Sequence, residues 1–244
     1  MKPSFLSVQA TYSTVQINLY HLKFINSLVP QALHASSHLI SCFDTLLQNN
    51  SLTLNDMHFI AIDKGPGAFT SLRAAIASVN GIAFAHKIPL IGINSLQALA
   101  WETIEKIKNS KAPYGDLIVT LLNAYNNDVY FLLTAINDLS QPKELEMGCC
   151  NINLLIEKLN GLSSNVILIT GNGAELHYEL VKSTLTKDIG LHHVPQATPT
   201  AGAIGALGLK AFMELKEPCF KIEPLYLKTQ NFAIRNDPNK PSRS

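Results

Sequence analysis

The sequence predicts an α/β protein built from two similar lobes, and three features of the chain lead to this fold class. Short apolar runs that suit buried strands alternate with segments of helical periodicity. The order β-β-β-α-β-α-β-α occurs once in each half of the 244 residues. A glycine-containing turn, at 65–67 and again at 171–173, separates a buried strand from a helix. We therefore expect two duplicated lobes, each with a mixed five-stranded sheet flanked by helices.

The first half is predicted to contain five strands and three helices. Phe5 to Ala10 is a short apolar run, and Val15 to Tyr20 alternates apolar and polar residues as a half-buried strand does. Apolar residues recur at helical spacing over 36–48, which predicts the first helix. The remaining elements are strands at 24–29, 59–62 and 89–93 and helices at 70–85 and 95–107.

The second half repeats this order. Its predicted strands are 117–122, 129–135, 144–150, 166–169 and 193–195, and its helices are 154–159, 174–184 and 200–215. A boundary near Asn109–Pro113 gives an N-terminal lobe over 1–110 and a C-terminal lobe over 111–229. We expect the helix at 200–215 to complete the N-terminal lobe and the polar tail at 230–244 to be loose.

Composition narrows the class of protein. Apolar residues make up 47% and charged residues 15% of the chain, which is typical of a globular protein with a sizeable core. A net charge of +1 gives no overall attraction for nucleic acid or an anionic membrane. Cys42, Cys149, Cys150 and Cys219 have no C-x-x-C spacing, so neither a zinc ribbon nor a redox pair is expected. No apolar run approaches the roughly 18 to 20 residues of a membrane span, and we expect a cytoplasmic protein.

The most informative segment is Gly65-Pro66-Gly67-Ala68-Phe69-Thr70-Ser71-Leu72-Arg73. Two glycines around a proline predict a tight turn from strand to helix. Thr70 or Ser71 is expected to cap this helix, as Ser95 is expected to cap the next one. The exposed amides at the start of the helix are able to hold an anion, and the alternative is a purely structural turn.

This segment is similar to the G-P-G-S-F-T-G-L-R signature of the TsaB (YeaZ) family. Gly92 to Ala100 resembles the family's G-V-S-S-L-E-A-L-A, and Asn123 to Tyr130 is a weakened form of its D-A-R-x-x-E-V-Y. Pro224 to Lys228 resembles its terminal P-x-Y-L-R. The likeness is strong over 36–100 and diffuse elsewhere. The repeated element order is also that of the actin-like and Hsp70-like ATPases, so an RNase H-like topology is expected in each lobe.

The resemblance implies a non-catalytic subunit in the formation of threonylcarbamoyladenosine at adenosine 37 of tRNA. In that family the subunit pairs with its catalytic paralogue TsaD, joins TsaE in a larger complex, and forms a homodimer when alone. The resemblance implies contact with tRNA only through the complex, and no membrane. No cofactor is expected on this chain alone, whereas a nucleotide is possible at the junction with partner subunits.

Two amides argue against catalysis by this chain. Enzymes of the resembled superfamily hold magnesium-nucleotide with carboxylates at the first strand of each half, because Mg²⁺ prefers anionic oxygen ligands. Gln9 and Asn123 stand at those positions here. Asp63 and Asp128 lie nearby in sequence, but at no expected ligand position. The alternatives left open are an ATP- or metal-dependent enzyme of the same superfamily and an RNase H-like nuclease.

Two pairs of histidines are candidates for metal ligands. His34 and His38 have the H-x-x-x-H spacing that places two imidazoles on one face of a helix. No glutamate lies between them as in H-E-x-x-H, and no third ligand is evident, so surface or interface histidines are the alternative. His192 and His193 are adjacent, which directs their side chains to opposite faces of a strand.

The predicted helix at 70–85 has two faces. Leu72, Ile76, Val79 and Ala83 suit the sheet, whereas Ala74, Ser78, Gly81 and Ala85 form a line of small residues that lets another helix approach. The approaching helix is either a partner's or one of the same lobe. The resemblance implies a four-helix interface with TsaD. The residues it assigns to that interface are His38, Leu39, Cys42, Phe43, Leu46, Arg73, Ala74, Ala77, Ser78 and Gly81.

Overall fold

Two mixed five-stranded sheets form the framework of the protein in a computed structural model. The structure describes residues 3–12, 15–21, 23–28, 39–109, 115–164, 166–185 and 190–228. The first sheet has the order β3-β2-β1-β4-β5 and the second has the order β10-β9-β6-β7-β8. In the first sheet β1 pairs antiparallel with β2 and parallel with β4, and in the second β6 pairs antiparallel with β7 and parallel with β9. Both sheets therefore have the same connectivity.

The strands lie close to the predicted positions. Those of the first sheet are β1 (Phe5–Gln9), β2 (Gln16–His21), β3 (Lys23–Leu28), β4 (Phe59–Asp63) and β5 (Leu90–Ile93). Those of the second are β6 (Leu117–Asn123), β7 (Asp128–Ala135), β8 (Lys143–Asn151), β9 (Val166–Thr170) and β10 (Gly190–Val194). β10 begins three residues before the predicted strand, because it pairs in parallel with β9 along the whole length of that strand.

Six helices cover the sheets in the described part of the chain. They are α1 (Leu39–Gln48), α2 (Phe69–His86), α3 (Ser95–Lys108), α4 (Ile152–Gly161), α5 (Asn172–Thr184) and α6 (Ala201–Glu214). A short 3-10 turn spans Leu54–Asp56. None of these helices is both long enough and apolar enough to cross a bilayer.

Two helices, α3 and α6, lie between the sheets, and each packs on the sheet that the other half of the chain forms. α6 packs on β1, β4 and β5 of the first sheet, although it follows the strands of the second. α3 follows the last strand of the first sheet, yet it packs on β6 and β7 of the second. α3 and α6 also pack against each other, and the halves are joined by this central helical layer.

Close packing holds α6 on the first sheet. Phe59 of β4 stacks between Phe5 of β1 and Phe212 of α6, with ring centroids 4.4 Å apart on both sides. Stacked aromatic rings combine large apolar area with a defined geometry. At Gly208 a Cβ would lie 2.4 Å from the Cβ of Ala61, so glycine is required for this close approach. The apolar residues of α6 therefore complete the core of the first sheet.

The predicted helix caps were wrong in both cases. α2 begins at Phe69 after the N-cap residue Ala68, so Thr70 and Ser71 lie inside its first turn and cannot serve as the cap. The cap of α3 is Asn94, whose Oδ1 accepts a 2.8 Å hydrogen bond from the backbone of Leu96. An asparagine before Ser95 competes for the same role, since both residue types favour N-cap positions.

Candidate functional site

A tight turn connects β4 to α2, as the glycine motif predicts. Gly65 has a φ of +95°, a left-handed backbone that favours glycine, and the Gly65–Pro66 peptide bond is cis. At Gly67 a Cβ would lie 2.6 Å from the Cβ of Thr11. The backbone N–H of Ala68 donates a 2.6 Å hydrogen bond to the carbonyl oxygen of Thr11. The turn therefore packs directly against the segment that follows β1.

Asp63 ends β4 and is only 1% exposed. The Ser95 hydroxyl and the Gly65 backbone N–H donate hydrogen bonds of 2.5 and 2.9 Å to its Oδ1. The Thr11 hydroxyl donates a 2.9 Å hydrogen bond to its Oδ2. Burial raises the pKa of this carboxyl group to about 6, and the three hydrogen bonds limit the rise. The carboxylate is thus occupied by the protein's own donors.

The amides at the ends of the two first strands also have internal partners. Gln9 is buried, and its Nε2 donates a 2.9 Å hydrogen bond to the hydroxyl of Thr11. Asn123 ends β6, and its Oδ1 accepts a 2.8 Å hydrogen bond from the backbone of Tyr125. The Asn172 side chain accepts a 2.9 Å hydrogen bond from the backbone N–H of Asn123. At the carboxyl ends of their strands, Gln9 thus bonds to a neighbouring side chain and Asn123 to the local backbone.

A cleft opens at these strand ends between the lobes. Its volume is about 650 Å³. Tyr12 lies on its wall and donates a 3.1 Å hydrogen bond to the carbonyl oxygen of Asn123, and burial raises the pKa of its phenol well above the ordinary value. The lining residues, none of them acidic, are Tyr12, Ala68, Ser71, Asn123, Tyr125, Asn172, Ala197 and Thr198.

The inner side of α1 faces the core of its own lobe. Leu39, Phe43 and Leu46 are buried there, so their side chains pack within this chain, and their assignment to the interface with TsaD stays a prediction. Their spacing of four and three residues is that of a core-facing helical stripe. Cys42 is half-buried beside them, and His38 lies outside the described residues.

Apolar and small residues remain on the outer side of α1 and α2. Ile40 is 51% and Phe84 75% exposed, which is unusual for such large side chains. Gly81 is exposed, and no atom of the described residues lies within 4 Å of the position that its Cβ would occupy. We call this surface the outer helix face. It is formed by Ile40, Ala74, Ala77, Ser78, Gly81, Phe84 and Ala85, of which Ala74 and Ser78 are half-buried.

Arg73 joins the start of α2 to a distant part of the chain. Its Nε donates a 2.6 Å hydrogen bond to the hydroxyl of Tyr226. Its guanidinium carbon lies 3.8 Å from the ring centroid of Phe69 and 5.4 Å from that of Tyr226, at cation–π distances. Thr70 is exposed beside them. The guanidinium of Arg73 thus has its aromatic partners within this chain.

The segment 219–228 connects the two lobes. The backbone N–H of Leu225 donates a 2.8 Å hydrogen bond to the carbonyl oxygen of Lys64 in the glycine turn. Lys228 forms a 2.8 Å ion pair with Asp128 at the start of β7. Further hydrogen bonds join Cys219 to Leu90 and Ile222 to Asn80. The segment therefore runs from the first sheet and the turn to the second lobe.

The histidines contribute no chelate among the described residues. His34 and His38 lie outside those residues. In β10 His192 is exposed, whereas His193 is half-buried and stacks at a tilt on Tyr178, with ring centroids 5.3 Å apart. Within the described ranges no three His, Cys, Asp or Glu side chains are grouped to hold a metal ion.

Three contacts in this region join residues that no local sequence pattern brings together. Thr11 bridges Gln9 and Asp63, and Lys228 pairs with Asp128 across the lobes. Tyr226 binds Arg73 although 153 positions separate them. The one local signal was at Asp63, where a carboxylate directly follows four buried residues of a strand and must therefore find donors.

The chain is similar in sequence to several known proteins. The family model for TsaD, tRNA N6-adenosine threonylcarbamoyltransferase, matches residues 26–141. The tRNA threonylcarbamoyladenosine biosynthesis protein TsaB of Buchnera aphidicola subsp. Schizaphis graminum is 27% identical over 71% of this chain and 80% of its own length. The protein of the same description from Buchnera aphidicola subsp. Baizongia pistaciae is 22% identical over 93% of this chain and 99% of its own length.

A solved structure shows the same fold. YeaZ from Pseudomonas aeruginosa superposes with a TM-score of 0.72 at 19% sequence identity, over 92% of this chain and 100% of that one. The strand order and the helices on both sides of each sheet agree with an RNase H-like, actin-like topology. The predicted fold class is therefore confirmed.

Proposed function

Because the chain belongs to the TsaB (YeaZ) family and takes part in tRNA threonylcarbamoyladenosine biosynthesis, we propose that it acts there as a non-catalytic scaffold for TsaD. In this role it supports the transfer of threonylcarbamoyl to adenosine 37 of tRNA. The outer helix face binds TsaD, and it forms a homodimer when TsaD is absent. TsaE joins the larger complex, and any nucleotide binds at a junction between subunits.

The donor set of the cleft favours a non-catalytic role. A magnesium-nucleotide site needs anionic oxygens, and the ends of β1 and β6 supply the neutral amides of Gln9 and Asn123. Asp63 already accepts three hydrogen bonds from the protein, and turning it toward a metal would leave those buried donors unpaired. The cleft of this chain alone is therefore poorly suited to hold metal and phosphate together.

The scaffold proposal depends above all on the outer helix face. Exposed large apolar side chains in a group mark interaction surfaces, and Phe84 and Ile40 are exposed on this face. The open position at Gly81 permits a partner helix to approach the backbone of α2 closely. Leu72 and Val79 of the same helix are buried on the sheet, so α2 is held rigidly while its other side faces outward.

A matched pair of glycine substitutions tests this proposal. Gly81→Arg places a bulky charge on the outer helix face, and Gly161→Arg makes the same change at the end of α4 in the second lobe. Neither glycine has an atom within 4 Å of its Cβ position among the described residues, so both variants are expected to fold. Co-purification with TsaD should be lost for Gly81→Arg and retained for Gly161→Arg. Equal binding of TsaD by both variants would refute the assignment of this face.

The rival function is an ATP-dependent enzyme that uses the cleft. The cleft volume of about 650 Å³ is ample for a nucleotide, and this observation favours the rival. Isothermal titration calorimetry of the isolated chain with magnesium-ATP separates the two functions. A submicromolar dissociation constant would replace the scaffold proposal with an active ATPase or kinase, and the absence of binding supports the scaffold.

A further inference from the structure

A second cavity lies beside the central helices, away from the residues assigned above. Its volume is about 460 Å³, within the range of small-molecule sites. α3 and α6 form one side, and β5 and the β7–β8 hairpin close the others. We call it the inner cavity. Its lining residues are Gly92, Ile93, Gln97, Ala100, Trp101, Ile104, Thr134, Pro142, Glu144, Leu207, Lys210, Ala211 and Glu214.

The apolar part of the inner cavity is suited to a hydrocarbon body. Trp101 is half-buried on its wall, beside Ile93, Ile104 and Leu207. A tryptophan face attracts both apolar groups and cations. Trp101 is also the single tryptophan of the chain, so its fluorescence reports on this cavity alone.

The charged part of the cavity is predominantly acidic. The charged lining residues are Glu144, Glu214 and Lys210, all of them exposed, and they give the lining a formal charge of −1. Gln97 Nε2 donates hydrogen bonds of 2.8 and 3.1 Å to the two oxygens of Glu144 and so orients this carboxylate. Lys210 and Glu214 are one helical turn apart on α6, yet no ion pair joins them among the described residues.

A buried hydroxyl without a partner lies in the same wall. Thr134 is 2% exposed, and its Oγ1 has no hydrogen-bond partner among the described residues. It lies opposite Glu144 where β7 and β8 pair, next to an irregularity in the register of the two strands. Buried hydroxyls are almost always hydrogen-bonded, because an unpaired one is costly. This hydroxyl therefore indicates a missing polar partner.

We propose that the inner cavity binds a small organic amine, with a primary ammonium on an apolar body. The ammonium has three donors, and the cavity offers three acceptors in Glu144, Glu214 and Thr134. Its charge neutralises the acidic excess, while its body packs on Trp101. The ligand would contact both sheets, since β5 belongs to the first and β7 and β8 to the second. This inference is independent of the scaffold proposal, because it uses neither the cleft nor the outer helix face.

Three probes with one hydrocarbon body test the ligand class. 3-Methylbutylamine has only the ammonium, 4-methylpentanoate only the carboxylate, and L-leucine both groups. Titration is followed by Trp101 fluorescence and checked by calorimetry. At least one of the two amines should bind, and the carboxylate should not. Tighter binding of L-leucine than of 3-methylbutylamine identifies amino acids as the natural ligand class, and the reverse order identifies simple amines. Binding of neither amine, or equal binding of the carboxylate, would overturn the proposal.

Two variants test which groups of the inner cavity bind the ammonium. Glu214→Gln removes an exposed charge, and Thr134→Val replaces the buried hydroxyl by a methyl group of similar size. Each should weaken amine binding about tenfold, as expected for a lost charge-assisted hydrogen bond. Thr134→Val should also raise the melting temperature without ligand, because it removes an unpaired polar group. Glu217→Gln, at an exposed carboxylate outside the cavity, is the control and should bind as the unaltered chain does. Unchanged affinity in Glu214→Gln would contradict the proposed site.

Discussion

The hydroxyl of Ser95 donates a 2.5 Å hydrogen bond to the buried carboxylate of Asp63. Ser95 is the first residue of α3, and Asp63 is the last residue of β4. The start of α3 is thus fixed to the first sheet, while the rest of that helix packs on the second. This single contact helps to determine how the central helical layer is placed between the sheets.

Substitution of Asp63 by asparagine should destabilise the protein. The amide would present an N–H₂ group to donors that now bind a carboxylate, and at least one buried hydrogen bond would be lost. We expect the free energy of unfolding to fall by about 1 to 3 kcal/mol in urea denaturation at pH 7. Asp44→Asn, at an exposed carboxylate of α1, is the control and should change little. Equal stability of the two variants would show that the buried network is dispensable.

The same carboxyl group should give stability a distinctive pH dependence. Burial raises the pKa of Asp63 to about 6, above its ordinary value of 3.8, so the folded protein binds more protons than the unfolded chain between these values. Its contribution to stability is therefore full below about pH 4 and is lost as the pH rises through about 6. The loss is on the order of 3 kcal/mol. The difference in unfolding free energy between the unaltered chain and Asp63→Asn should decrease by that amount from pH 4 to pH 7. A constant difference would mean that the pKa is not raised.

Two glycines of the same region should respond to alanine in opposite directions. At Gly67 the new Cβ would lie 2.6 Å from the Cβ and 2.7 Å from the carbonyl oxygen of Thr11, so the turn must move. We expect Gly67→Ala to lower the unfolding free energy by about 2 kcal/mol. Gly81→Ala has open space and should raise it by about 0.5 to 1 kcal/mol, because alanine favours helices. Thermal melting followed by circular dichroism measures both changes, and a shared sign would contradict this account of the turn.

The ion pair between Lys228 and Asp128 should contribute to the connection between the lobes. Both side chains are partly buried, and Lys228 also donates a 3.0 Å hydrogen bond to the carbonyl oxygen of Ala124. A double-mutant cycle with Lys228→Met and Asp128→Asn should give a coupling energy of about 1 kcal/mol.

The exposed pair Lys221–Glu223 is the control for this cycle and should give a coupling close to zero. Hydrogen exchange provides a second measurement, because the backbone of segment 219–228 should exchange faster in Lys228→Met. Unaltered exchange in that segment would show that the ion pair does not hold it in place.

Most of the fold was predictable because apolar residues follow the strand and helix periodicities clearly in this chain. The alternation over Val15 to Tyr20 gave β2, and the helical spacing of Leu72, Ile76 and Val79 gave the buried side of α2. Sequence spacing did not reveal that α3 crosses to the second sheet. That helix has apolar residues on two sides, with Leu99 toward the second sheet and Ala98 toward the first, and periodicity does not say which partner each side meets.

The candidate site was predictable only in part. The glycine motif located the turn, since its residues are adjacent in sequence. Thr11, Asp63 and Ser95 come from three separate segments, and their meeting is a result of sheet topology that no local pattern encodes. Leu39, which the resemblance assigns to the interface with TsaD, lies on the core side of α1, because spacing shows that a helix is amphipathic but not which neighbour each side meets.

The exchange of α3 and α6 makes the two halves of this chain mutually dependent during folding. A cut between residues 109 and 115 would leave the first sheet without α6 and the second without α3, exposing an apolar sheet surface in each fragment. Neither fragment would have a complete core, whereas the two together would restore both. Unfolding of the intact chain should accordingly be one cooperative transition.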